Sequence, residues 1–188
     1  DITGQYYIPG TSIVVRPTFS IKYSQNNYLM KDVEVWSEEE DRYILTNKRR
    51  FHDDYFSLFG QIEAGVNGKK WADLFFVGVS YDKVDKDIQT GAMQNKVYGD
   101  ASRNSNSFNI YARYAKKWGA VSTRLNFSHT WEESETIDTT FRKYSWDGTW
   151  MPSSGNEINN GRKSIRVYKR PLTVVNSGVD YCIDEHNT

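Results

Sequence analysis

Two histidines stand beside carboxylates and are the first places to look for chemistry. His52 precedes Asp53 and Asp54, and His129 is followed by Glu132, Glu133 and Glu135. A histidine near a carboxylate can transfer protons or hold a metal. Neither group has the helical H-E-x-x-H frame that would aim both at one ion. Both fall where strands meet loops, so a hydrogen-bonding role at a rim fits them better. Asp82, Asp85 and Asp87 are spaced rather like a calcium loop, but the required glycine and terminal glutamate are missing. Lys48-Arg49-Arg50 is short and is offset by the nearby acidic run Glu38 to Asp41, which argues against a phosphate site. Cys182 is the single cysteine; it cannot form an internal disulfide and has no histidine at a telling position. The expectation is therefore a protein that is not an enzyme, with no catalytic residue, metal site or cofactor.

Ligand contact is better served by aromatic rings. Tyr144, Trp146 and Trp150 lie in the polar stretch from Thr130 to Arg170. Exposed rings on a loop offer stacking surface without a scaffold of charges. The competing reading is that they pack the loops against one another.

The elements that would position these rings are strands. From Tyr55 the chain reads YFSLFGQIEAG, VNGKK, WADLFFVGVSY. Phe56, Leu58, Ile62, Ala64 and Val66 share one parity while Ser57, Gln61 and Glu63 share the other, the period of a strand with one apolar face. Asn67-Gly68 is a strong hairpin signal, since both residues accept positive φ. The same alternation marks Thr11–Ser24, Phe108–Ala115, Ala120–Trp131 and Thr173–Ile183, with a partial strand at Ile2–Ile8. Pro17 removes a ladder donor, so a bulge or irregularity is expected there. Ser37 with Glu40 has the pattern of a capping box for a brief helix, in a stretch otherwise read as a solvated excursion with a small hairpin around Tyr43 to Thr46.

Connections fall into two alternating classes. Pro9-Gly10, Asn67–Lys70, Lys116–Gly119 and Asp184–Asn187 are tight, whereas 25–54, 82–107 and 132–170 are long and hydrophilic. Alternation in an up-and-down sheet places every short turn at one end and every long loop at the other. That organisation is the rule in outer-membrane barrels. Tyr23, Tyr55, Trp71, Tyr81, Trp118 and Trp131 lie near strand ends, where membrane-interface aromatics are expected, although rings also favour strands simply to pack across them. The expected fold class is thus all-β: residues 1–188 as one antiparallel up-and-down sheet, a segment of a large transmembrane β-barrel.

The totals agree with a strand-rich chain. Its 188 residues carry 24 Lys plus Arg against 24 Asp plus Glu, so no net charge draws it to nucleic acid. Aromatics reach 15%, which speaks against a disordered segment. No apolar run approaches the length of a membrane-spanning helix, which leaves a strand-built barrel open. The chain begins at Asp1 without methionine or signal peptide, the mark of a processed or excerpted sequence. Six full strands and a fragment fall below the eight of the smallest membrane barrels, so the remaining strands are expected from elsewhere in a parent chain.

The arm KKWADLFFVGVSYDKVDKDIQTG, the paired hairpins and the closing VNSGVDYCIDEHNT resemble the barrel portion of TonB-dependent outer-membrane receptors of the Bacteroidota type. That resemblance implies a nutrient-uptake receptor in the bacterial outer membrane. Its implied partners are outer-membrane lipid, the remaining barrel strands and plug, a surface lipoprotein and an inner-membrane energy-coupling complex. Two alternatives stand beside it: a structural or adhesive outer-membrane barrel, and a soluble secreted all-β module that binds glycan.

Overall fold

The computed structural model describes residues 1–92 and 94–183; the turn expected at Asp184–Asn187 lies outside them. Every regular element among the described residues is a strand. In chain order they are β1 (Ile2–Thr3), β2 (Tyr6–Tyr7), β3 (Ile13–Ser24), β4 (Leu29–Ser37), β5 (Arg42–Arg49), β6 (Tyr55–Asn67), β7 (Leu74–Asp87), β8 (Ser102–Trp118), β9 (Val121–Asp138), β10 (Arg142–Tyr144), β11 (Trp150–Pro152) and β12 (Ser164–Tyr181). They form three separate sheets: an eight-stranded antiparallel one in the order β1-β3-β6-β7-β8-β9-β12 with β2 also on β3, and the two-stranded pairs β4-β5 and β10-β11.

The all-β assignment holds, but the barrel does not. A barrel requires the first and last strands to pair, and here β1 with β2 stands at one edge and β12 at the other. Alternating short and long connections specify the order of a meander. They carry no information about closure, because an open meander satisfies them equally well. The long connections are more structured than expected: residues 25–54 hold the β4-β5 hairpin, longer than the small one expected around Tyr43 to Thr46, and 132–170 contain β10-β11. No helix forms at Ser37; its hydroxyl instead accepts the Glu40 N–H at 3.3 Å inside the turn between β4 and β5.

Register in the main sheet follows side-chain parity. Phe19 lies beside Gly60, Ile62 beside Val79, Val79 beside Ile110, and Phe127 beside both Ala112 and Val175. All belong to one apolar face, on which Ile21, Ile62, Val77, Leu125 and Val175 remain exposed. The opposite face carries Arg16, Glu63, Tyr111 and Arg113. Pro17 pairs regularly with Ile62 and causes no bulge. Its carbonyl accepts the Gly4 N–H at 3.0 Å, so its nitrogen faces the interval between β1 and β2, where no ladder donor is needed. The irregularity appears instead between Met30 and Val33, where Asp32 adopts φ 53°.

The central hairpin reverses later than its Asn-Gly signal suggests. Asn67 still pairs with Leu74, and Lys69 and Ala72 exchange N–H···O bonds of 2.8 and 3.2 Å, leaving Lys70-Trp71 as the two-residue loop. Strands β8, β9 and β12 run 17, 18 and 18 residues, well past the apolar alternation that marked them. The β8 extension is polar on both faces and the β9 one nearly so, whereas that of β12 carries Ile165, Val167 and Leu172; all hold by ladder bonds and pairs such as Glu133–Lys169 (3.1 Å). Pro171, expected to end a loop, sits inside β12, an edge strand with one open side.

Buried apolar side chains cluster in the connections. Val33 and Val35 of β4 meet Val97 and Trp146, with Met30 and Tyr144 packed alongside. The parity of VEVW explains this directly: the valines turn inward while Glu34 and Trp36 turn outward.

Candidate functional site

The β4-β5 and β10-β11 hairpins, with residues near Asn95, enclose a cleft of about 320 Å³. Trp36, Tyr43 and Trp150 line it and stay 46%, 64% and 51% exposed. Trp36 lies opposite Tyr43 in the ladder, the two rings meeting edge-on with centroids 5.3 Å apart. Trp150 lies opposite Tyr144, and the Arg142 guanidinium rests 4.3 Å from the indole centroid, which fixes the plane of that ring. Glu34, Asn95 and Lys143 add polar groups to the same walls.

Hydrogen bonds hold the cleft in shape. The Tyr144 hydroxyl donates to Asp100 Oδ2 at 2.8 Å, and Arg142 Nη1 donates to the same oxygen at 3.2 Å. Burial raises the pKa of the Tyr144 phenol, with the bond to Asp100 acting in the same direction, so it remains a donor. Asp147 closes the β10-β11 turn by accepting the Thr149 N–H at 3.0 Å and its hydroxyl at 2.6 Å. Burial would raise the Asp147 carboxyl, but the Thr149 bonds and Lys48 hold it below its ordinary value. Glu157 accepts N–H bonds from Gly99 (3.0 Å) and from Asp100 and Ala101 (3.2 Å), and a hydroxyl bond from Thr140 (2.9 Å), tying the two long connections together.

All three expected ligand contacts, Tyr144, Trp146 and Trp150, line this cleft, but Trp146 is only 2% exposed. The Trp146 indole N–H donates to the Gln94 carbonyl at 2.9 Å, so this ring supports the wall from beneath. Trp36 and Tyr43 escaped the sequence reading because residues 25–54 looked like solvated loop. The alternation in VEVW was the signal that could have found them.

Among the expected interface aromatics, Tyr23, Trp71, Tyr81, Trp118 and Trp131 are exposed and Tyr55 is half-buried. Trp131 stacks on Phe108 with centroids 5.8 Å apart, Trp71 meets Phe75 edge-on at 5.4 Å, and the Tyr81 hydroxyl donates to Asn106 at 3.1 Å.

The titratable candidates are engaged in holding strands. His52 Nε2 lies 2.8 Å from the Ala101 carbonyl and Nδ1 3.5 Å from Asp87. Asp53 pairs with Arg50 at 3.0 Å, and Asp54 accepts the Tyr23 hydroxyl at 2.9 Å. His129 Nδ1 lies 2.6 Å from Thr173 Oγ1, its ring against Trp131. Asp82, Asp85 and Asp87 stand in β7, the first on the opposite face from the other two. Cys182 continues β12, its N–H donating to the Ala120 carbonyl at 2.8 Å.

A second charged group sits on the main sheet. Glu63, 5% exposed, bonds Arg113 at 2.6 Å, Tyr111 at 3.0 Å and Arg16 at 3.2 Å. Phe76 is wholly buried, with the Arg16 and Arg113 guanidinium groups 4.6 and 5.7 Å from its ring centroid. Glycine makes the room: a Cβ on Gly78 would lie 2.5 Å from the Tyr111 ring, and one on Gly65 would lie 2.5 Å from Phe76. Burial raises the Glu63 carboxyl, but Tyr111, Arg113 and Arg16 together bring it below its ordinary value. Burial, reinforced by the bond to Glu63, pushes the Tyr111 phenol up to about 12.

An all-β chain bearing an aromatic-lined cleft on its connecting hairpins is the class that fold and site define. No protein-family model, curated protein or solved structure matches the chain. The likeness to TonB-dependent receptors is corrected by the three separate, unclosed sheets among the described residues. Transmembrane strands, the uptake function and the outer-membrane location rested on that barrel and are withdrawn with it.

Proposed function

We propose that this chain is an all-β binding module that captures a carbohydrate in the cleft of Trp36, Tyr43, Tyr144 and Trp150. The observation that carries this reading is the convergence of two exposed indoles, from two separate hairpins, on one cleft that also holds Glu34, Asn95 and Lys143. A pyranose presents an apolar C–H face and a rim of hydroxyls. Indole faces suit the first, and carboxylate, amide and ammonium groups suit the second. Binding without turnover is favoured because His52 and His129 are held against other partners and neither lines the cleft.

The test is an oligosaccharide array probed with the chain and with Trp36→Ala/Trp150→Ala. Capture of a defined set of glycans, reduced at least tenfold in the double variant while its far-UV circular dichroism is retained, is the expected result. Failure to capture any glycan, or capture indifferent to both substitutions, would overturn the assignment.

A further inference from the structure

The carbohydrate cleft does not end at Tyr144. A second cavity of about 270 Å³ adjoins the first and shares Asn95, Val97, Lys143 and Tyr144 with it. Its charges differ. The first cavity has Glu34 and, on the wall shared with the second, Lys143. The second adds Lys96 and Arg142 against Glu157 alone, so the two together carry three positive groups against two negative, or +1, with the positive groups gathered at the second. Arg142 is committed to Asp100. Lys96 and Lys143 have no ion pair within 4.0 Å among the described residues, and both are exposed. The Glu157 carboxylate is occupied by three peptide N–H groups and the Thr140 hydroxyl, which leaves it little capacity to accept bonds from a ligand. Ser153 and Asn160 supply neutral hydrogen-bonding groups on the same walls.

Resting on the carbohydrate reading, we propose that the two cavities form one groove with a neutral, ring-lined subsite and a basic subsite, and that the groove selects oligosaccharides bearing an acidic residue. A neutral sugar would stack on Trp36 and Trp150 while an adjacent carboxylate or sulfate meets the ammonium groups of Lys96 and Lys143. Charge-assisted bonds of this kind are roughly twice as strong as neutral ones. Because both lysines reach solvent, salt weakens the preference.

The array carries neutral, uronate-bearing and sulfated oligosaccharides and is probed at low and high salt with the chain and with Lys96→Gln/Lys143→Gln. The expected result is binding to acidic chains about tenfold above matched neutral ones, a ratio that falls at least fivefold in the variant and at high salt. The carboxylated and sulfated arms report which anion is preferred. Capture of neutral glycans at least as strong as acidic ones, or an acid preference unchanged in the variant, overturns the basic subsite while leaving the carbohydrate reading standing. Capture of none overturns both.

Discussion

The main sheet and the hairpins built from its connections solve the same problem in opposite ways. Both are made of strands with alternating apolar and polar residues. In the main sheet, β9 and β12 pair through eighteen successive positions without a register shift, yet Val77, Phe127 and Val175 on the apolar face remain open. The β4-β5 hairpin is short and bulged at Asp32, yet Val33 and Val35 are almost fully buried. The first region is held by its ladder and the second by side-chain packing. Alternation determines which residues share a face, and only what stands opposite determines whether that face is a core.

Substitutions should separate the two regions by size of effect. Trp146→Ala removes the largest side chain of the Val33, Val35 and Val97 cluster and should cost about 3–5 kcal/mol locally. Hydrogen exchange should then accelerate across β4, β5, β10 and β11 while β8 and β9 stay protected; equal acceleration in both regions would erase the distinction.

Within the main sheet the largest effect should come from Glu63→Gln, which leaves Arg16 and Arg113 without their carboxylate. Breaking a fully buried pair costs about 3–5 kcal/mol, and the solvent reached by both guanidinium groups reduces this to about 2 kcal/mol in chemical denaturation. The same group predicts two pH limits. Glu63 titrates lower in the folded chain, so its contribution is present above the unfolded carboxylate pKa and is lost as pH falls through the folded value. Tyr111 titrates higher, so its contribution is complete below the ordinary phenol value of 10.0 and is lost as pH rises toward about 12. Tyr111→Phe should flatten the alkaline limb of the stability profile; an unchanged limb would place the titration elsewhere.

The smallest effect should fall on the open face. Val77→Thr, at a position 46% exposed, should change stability by less than about 1 kcal/mol, since β-branching is kept and little surface leaves water. A loss comparable to that of Trp146→Ala would show that this face is covered in solution.

Much of the main sheet was legible because strand parity is a local property. The alternation from Phe56 to Val66 and from Phe108 to Tyr114 is visible in residue types alone, and the tight turn at Gly119 with φ 57° follows from glycine. The polar extensions of β8 and β9 were invisible, because Ser, Asn and Glu become strand only when a partner strand supplies the ladder. The same holds for the hairpin reversal: Asn67-Gly68 favours a turn, but continued pairing of β6 with β7 carried the chain on to Lys70-Trp71.

The site divides along the same line. Their place in the polar stretch from Thr130 to Arg170 singled out Tyr144, Trp146 and Trp150 as loop rings, although the first and last stand in β10 and β11. Which ring would be buried, and which would face a cleft with Trp36 and Tyr43, depended on contacts between segments more than 90 residues apart in the chain. By itself the sequence determined the strand periodicity, the order of the meander and the neutral, ring-rich composition. Tertiary structure decided that the sheet stays open, that the apolar core lies in the connecting hairpins, and that the rings meet in one cleft. Closure, burial and convergence are relations between distant segments, and no local pattern of residue types encodes the distance between them.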